Sequence, residues 1–197
     1  MLHDQIERLL GGTIDVLTIK PDGQALAGPP TPGVILSGAF NPLHVGHTGL
    51  VMAAAAYVGR EPRFELAVVN ADKGSIPVDK IIRRVEQFRG QSLILSREPL
   101  FSNKAALYPG NYFVVGYDTA VRLIEPRYYS GATGLAQSLA IVKDHGCRFI
   151  VAGRLADGRF QTLSNVVLPL GYADLFIELP EKLFRADISS SAIRAKQ

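Results

Sequence analysis

Short apolar runs alternate along the chain with segments of helical period. The β-rich runs are VILS at 34–37, FELAVVN at 64–70, SLILS at 92–96, YFVVG at 112–116, RFIVA at 148–152 and LFIEL at 175–179. Helical segments are predicted between them, near 46–58, 78–89, 117–125 and 132–144. Strands that are almost continuously apolar and separated by helices indicate a parallel sheet covered on both faces. The expected fold is therefore α/β: a Rossmann-like, doubly wound, mainly parallel sheet of five to six strands. Before Gly33 the pattern weakens. Residues 1–32 read as a short helix, an extended stretch Thr13–Ile19 and a Gly- and Pro-rich loop, and so as an N-terminal extension or linker to a domain at 33–197.

With 197 residues, the chain is of the size that forms one domain of about 100–200 residues. A hydrophobic share of 47% against 20% charged excludes a disordered or low-complexity class. The net charge of +3 is too small to call for a nucleic-acid partner, although a local anion site remains open. One cysteine, Cys147, leaves no internal disulfide and no multi-cysteine zinc site, and it fits a reducing compartment, so the expected location is cytoplasmic. MLHDQIERLL lacks an apolar signal core, and no run approaches the roughly 18–20 residues that span a bilayer, so no membrane partner is expected.

In an open parallel sheet, ligands bind beyond the carboxyl ends of the strands, which directs attention to the loops there. The loop after the first strand of the predicted domain, Ser37-Gly38-Ala39-Phe40-Asn41-Pro42-Leu43-His44-Val45-Gly46-His47, runs into an Ala-rich helix opening near Gly46. Gly38 allows a ligand close to the backbone, Asn41-Pro42 makes a turn, and the helix start offers free N–H groups and the positive end of its dipole to an anion. His44 and His47, one turn apart, can both donate hydrogen bonds to that anion. A metal site is the competing reading, but two imidazoles at this spacing have no obvious third ligand nearby. Helix-capping or core histidines are another. At the far end, Asp187-Ile188-Ser189-Ser190-Ser191-Ala192-Ile193-Arg194 places three hydroxyls at a helix start and a guanidinium about a turn later, which taken alone reads as an ordinary N-cap followed by a solvated arginine or as a second candidate anion cradle.

GAFNPLHVGH resembles the GxFxPxHxGH signature of the HxGH nucleotidyltransferase superfamily, whose members include nicotinamide-mononucleotide adenylyltransferases and cytidylyltransferases. ISSSAIR resembles that family's ISSTxIR motif, with Ser191 standing for Thr. The resemblance covers about residues 33–196 and implies a Rossmann-like fold. It also implies that His44, His47 and Arg194 stabilise charge at a transferring α-phosphate. Gly38, Ala39, Phe40, Asn41, Gly46, Ile188, Ser189, Ser190 and Ser191 would then line the nucleotide. Gly116 and Asp118 resemble the family's GxD segment, Arg154 its triphosphate-contacting arginine and Lys73 a basic residue near the acceptor phosphate. For Asp118 an N-cap, and for Arg154 a plain surface position, are equal alternatives. Arg83 and Arg84 read as a solvated or salt-bridged face.

By this resemblance, the expected reaction is transfer of a nucleotidyl group from a nucleoside triphosphate, with ATP favoured, to a small phosphorylated acceptor such as a pyridine mononucleotide. The expected cofactor is Mg²⁺ carried by the triphosphate, with Asp118 a possible ligand and no other protein side chain required. A cytidylyltransferase acting on a phosphorylated alcohol and a non-catalytic nucleotide sensor are the alternatives. The family's stacking aromatic is left open among Phe101, Tyr108, Tyr112 and Tyr117. Because relatives are often oligomeric, a homo-oligomer is open as well.

Overall fold

The computed structural model describes residues 1–70, 74–156 and 158–186. Eight strands form one sheet: β1 (Val16–Ile19), β2 (Ala25–Ala27), β3 (Val34–Ser37), β4 (Pro62–Ala67), β5 (Leu93–Ser96), β6 (Tyr112–Gly116), β7 (Arg148–Ala152) and β8 (Phe176–Leu179). Their order across the sheet is β8-β7-β6-β3-β4-β5-β1-β2. The run from β8 to β5 is parallel throughout, which accounts for the six strands expected from the sequence. The strand expected to run to residue 70 ends at Ala67, and Val69–Asn70 instead pairs antiparallel with Gly74–Ser75 in a separate ribbon.

Alternation along the strands sorts the core into two layers. Leu17, Val34, Leu36, Phe64, Leu66, Leu93 and Leu95 face one side, with α1 (Leu2–Leu10), α2 (Val45–Val58) and α3 (Val78–Val85) packed on it. Ile35, Ile94, Phe113, Val115, Phe149 and Val151 face the other, beneath α4 (Phe101–Leu107), α5 (Tyr117–Leu123) and α6 (Gly131–Asp144). Near-continuous apolar strands are the consequence of burial on both faces. Helix α4 was not predicted: PLFSNKAAL is short, and its apolar positions are broken by Asn103 and Lys104.

The extension read at residues 1–32 is instead part of the sheet. β1 pairs antiparallel with β5, with Leu17 opposite Leu95, and β2 closes that edge. Ile6, Leu9 and Leu17 are fully buried in the same core as Val34 and Phe64. The extended stretch expected at Thr13–Ile19 contains β1, but a four-residue strand carries too short a pattern to assign it to the sheet, and the neighbour that buries it lies some eighty residues away in sequence.

Among the described residues no helix is long and apolar enough to cross a membrane. The packing of β1 has a measurable consequence. Leu17→Ala should lower the unfolding free energy by about 2–5 kcal/mol in urea denaturation, whereas Leu26→Ala on the exposed strand β2 should change it by no more than about 0.5 kcal/mol. Equal small effects would mean that residues 1–32 hang free of the core.

Candidate active site

Strand β3 is bonded to β4 on one side and β6 on the other, and the chain winds outward from this point in both directions. A crevice must open at such a reversal, beyond the carboxyl ends of the strands. Two clefts lie there. The first, of about 390 Å³, is lined by His44, Gly46 and His47 from the β3 loop, Gly116 and Asp118 after β6, and Arg154 after β7. The second, of about 650 Å³, is lined by Ser37, Gly38, Ala39, Glu65, Lys104 and residues of α3. Thr119 lines both, so the clefts adjoin.

His44 is the N-cap of α2, and its extended backbone (φ −147°, ψ 167°) turns the loop into the helix. The imidazoles of His44 and His47 stack with centroids 3.7 Å apart. Gly46 makes that possible, because a Cβ there would sit 3.1 Å from the His44 ring. The His44 backbone N–H donates to Nδ1 of His47 at 3.3 Å. A neutral imidazole accepting at Nδ1 carries its proton on Nε2, which makes His47 a donor through Nε2. Burial, and then the neighbouring His44, push the His47 pKa down from 6.5 to about 4, and burial lowers that of His44 as well. At neutral pH the pair is therefore two uncharged hydrogen-bond donors at the positive end of a fourteen-residue helix.

The loop is held from below. Phe40 adopts a positive φ of 45°, and its side chain is buried, edge-on to His47, Phe64 and Phe88. Phe40 thus supports the His47 ring, and only its backbone is available to a ligand. Gln87, in the 3₁₀ turn Glu86–Phe88 that follows α3, tethers the loop: its Oε1 accepts the Leu43 N–H at 2.8 Å and its Nε2 donates to the Phe40 carbonyl at 3.3 Å. Gln87 carries no signal in the sequence, since the contact spans more than forty residues. Asn41 lies in the exposed turn ahead of His44, joined to Pro42 by a cis peptide.

Across the first cleft, Asp118 in the first turn of α5 forms an ion pair with Nη1 of Arg154. Two residues drawn separately from the sequence are thereby brought together, opposite the histidines. Of the four aromatic candidates, Tyr108 is fully buried and Tyr112 begins β6 at the other end of the strands, whereas Tyr117 lines the first cleft and Phe101 the second. Arg84, expected on a solvated face, lines the second cleft, while Arg83 is exposed. Lys73, Ile188, Ser189, Ser190, Ser191 and Arg194 lie outside the described residues. Phe184 and Ala186, just before that last segment, line the first cleft.

No protein-family model matches the chain, and no curated protein matches it. The resemblance of GAFNPLHVGH therefore stands on its own residues.

The depressed His47 pKa sets a direction for stability. The unfolded chain takes up a proton near pH 6.5 and the folded one only near pH 4, so folding loses His47's contribution as pH falls through that interval, and the loss levels off below it. The stability difference between the native protein and His47→Gln should accordingly change between pH 6.5 and 4 in urea titrations. A difference that is constant across this range would show that His47 titrates as a solvated imidazole.

Proposed function

We propose that the protein is a nucleotidyltransferase that moves a nucleotidyl group, with ATP the favoured donor, onto a small phosphorylated acceptor and releases pyrophosphate. The observation that carries this reading is the stacked, neutral His44–His47 pair at the N-terminus of α2, opening on the cleft at the sheet's reversal point. Together with the GAFNPLHVGH and ISSSAIR resemblances, it supports a site that handles the α-phosphate.

The chemistry asks little covalent work of the protein. An acceptor phosphate oxygen attacks the α-phosphorus in line, the bond to the pyrophosphate oxygen breaks, and the electron pair leaves with pyrophosphate. Negative charge grows on the equatorial oxygens as this happens. His47 Nε2–H and the His44 imidazole are preorganised donors for that charge, and because they are neutral they gain most from the transition state without binding the ground-state triphosphate as salt bridges would. Arg194 and the serines Ser189–Ser191 take the triphosphate side by the family resemblance. Arg154, positioned by Asp118, offers a guanidinium on the opposite wall.

Asp118 is the one carboxylate lining the first cleft among the described residues. Mg²⁺ is usually held by one or two carboxylates plus substrate phosphates, so this donor set fits a metal that arrives with the triphosphate. Held by Asp118, such a metal would supply positive charge that offsets the charge of the phosphates.

The test is pyrophosphate release by the pure protein with Mg²⁺, ATP or CTP, and a panel of phosphorylated acceptors. Turnover with ATP is expected, and His47→Ala should lower it by about 10²-fold or more, the effect of removing one transition-state donor. ATP binding without release for any acceptor would instead identify a nucleotide sensor, and release with CTP alone a cytidylyltransferase. A near-normal rate in His47→Ala would overturn the mechanism.

A further inference from the structure

The second cleft contains chemistry that the histidine loop does not use. Ser37, Glu65 and Ser96 all point to the α4 side of the sheet: Ser37 is the register partner of Glu65, and Ser96 ends the adjacent strand β5. Glu65 is fully buried, and both of its oxygens are engaged. Oε1 accepts the Ser96 hydroxyl at 2.6 Å and the Tyr108 hydroxyl at 3.3 Å, while Oε2 accepts from Lys104 Nζ at 2.5 Å. Burying a carboxylate in a sheet core is costly unless it is paired and hydrogen-bonded in this way.

Lys104 is itself 3% exposed and lines the cleft. Its ammonium has three donors, and Glu65 is its one hydrogen-bond partner among the described residues, with the Phe101 ring 5.3 Å away. Beside it, Ser37 Oγ is buried without a hydrogen-bond partner and lines the same cleft. Buried polar atoms left unpaired are rare in folded proteins, and one that lines a cleft is placed to take a hydrogen bond from whatever fills it. The charges of Glu65 and Lys104 cancel, so the floor is net neutral yet rich in donors. The rim differs: Lys80 and Arg84, one turn apart on α3, are both cationic.

We infer that this second cleft seats the acceptor, and that the acceptor is a small molecule with two unlike ends, an anionic group held by Lys80 and Arg84 and an uncharged oxygen-bearing group hydrogen-bonded by Lys104 and Ser37. Calling the ligand an acceptor rests on the proposed nucleotidyl transfer, whereas the binding chemistry does not. A molecule with an anionic group at each end is disfavoured, because its second anionic group would meet a floor where Glu65 already neutralises Lys104. Thr119, shared by the two clefts, places this site next to the histidine pair.

Calorimetry on the full chain, with no nucleotide present, tests the inference apart from any turnover. Three probes separate the two ends of the ligand: inorganic phosphate for the anionic end, ribose for the uncharged end, and ribose 5-phosphate for both. Ribose 5-phosphate should bind about tenfold or more tightly than phosphate, with ribose weaker than either, in line with the worth of charge-assisted hydrogen bonds. Lys80→Ala, at an exposed position, and Arg84→Ala, at a half-buried one, should each weaken ribose 5-phosphate by about tenfold. Ser37→Ala should shrink its advantage over phosphate, and Leu26→Ala, on strand β2 away from both clefts, should leave binding unchanged. Equal affinity for phosphate and ribose 5-phosphate, unchanged binding of ribose 5-phosphate in Lys80→Ala and Arg84→Ala, or no binding of ribose 5-phosphate would each overturn the inference. Failure of pyrophosphate release with these binding results intact would instead overturn the catalytic reading alone.

Discussion

Parallel hydrogen bonding of β3 to β4 on one side and to β6 on the other is the constraint on which everything else in the molecule depends. Parallel strands share one carboxyl edge, so the loops after β3, β6 and β7 must converge there whatever their sequences. The histidine loop, the Asp118–Arg154 pair and the second cleft all occupy that edge. Because the winding reverses at β3, the loop that follows it borders both clefts, with Gly38 and Ala39 on one and His44, Gly46 and His47 on the other.

Charge is placed unevenly along this edge. Around the first cleft the histidines are kept neutral by burial, and the formal charges of Asp118 and Arg154 are spent on each other. Around the second, Glu65 and Lys104 cancel at the floor while Lys80 and Arg84 leave a cationic rim. Tyr108 shows the same low-polarity surroundings: burial, reinforced by the Glu65 charge, drives its phenol well above its ordinary range, so it serves as a neutral donor. The chain's net charge of +3 conveys none of this, because the function proposed depends on where single charges sit and which of them are already paired.

Much of the fold was legible. Alternating apolar runs and helical segments identify the six parallel strands and, with the short helix read near the N-terminus, five of the six α-helices among the described residues, since burial on both faces leaves a pattern in every strand. The place of β1 in the sheet, its partner β2 and helix α4 were not, because each element is short and each is stabilised by partners far away in sequence. At the site, His44, His47, Gly46, Gly116, Asp118 and Arg154 were legible from local spacing and resemblance, and one cleft contains all of them. Phe40 was read as lining the nucleotide, yet its ring is in the core, because a positive φ turns it inward beneath His47. Arg84 was read as solvated. Its role at the second cleft follows only from how α3 lies on the sheet.

The sequence by itself determined the fold class, the histidine loop and its position at a strand end, because burial periodicity and turn chemistry are local properties. Tertiary structure decided what those groups are chemically. A pKa near 4 for His47, the pairing of Asp118 with Arg154, the Gln87 tether and the buried Glu65–Lys104 pair all arise from residues tens of positions apart meeting where water is scarce. Desolvation and hydrogen bonding act through space, and their partners are chosen by the path of the chain.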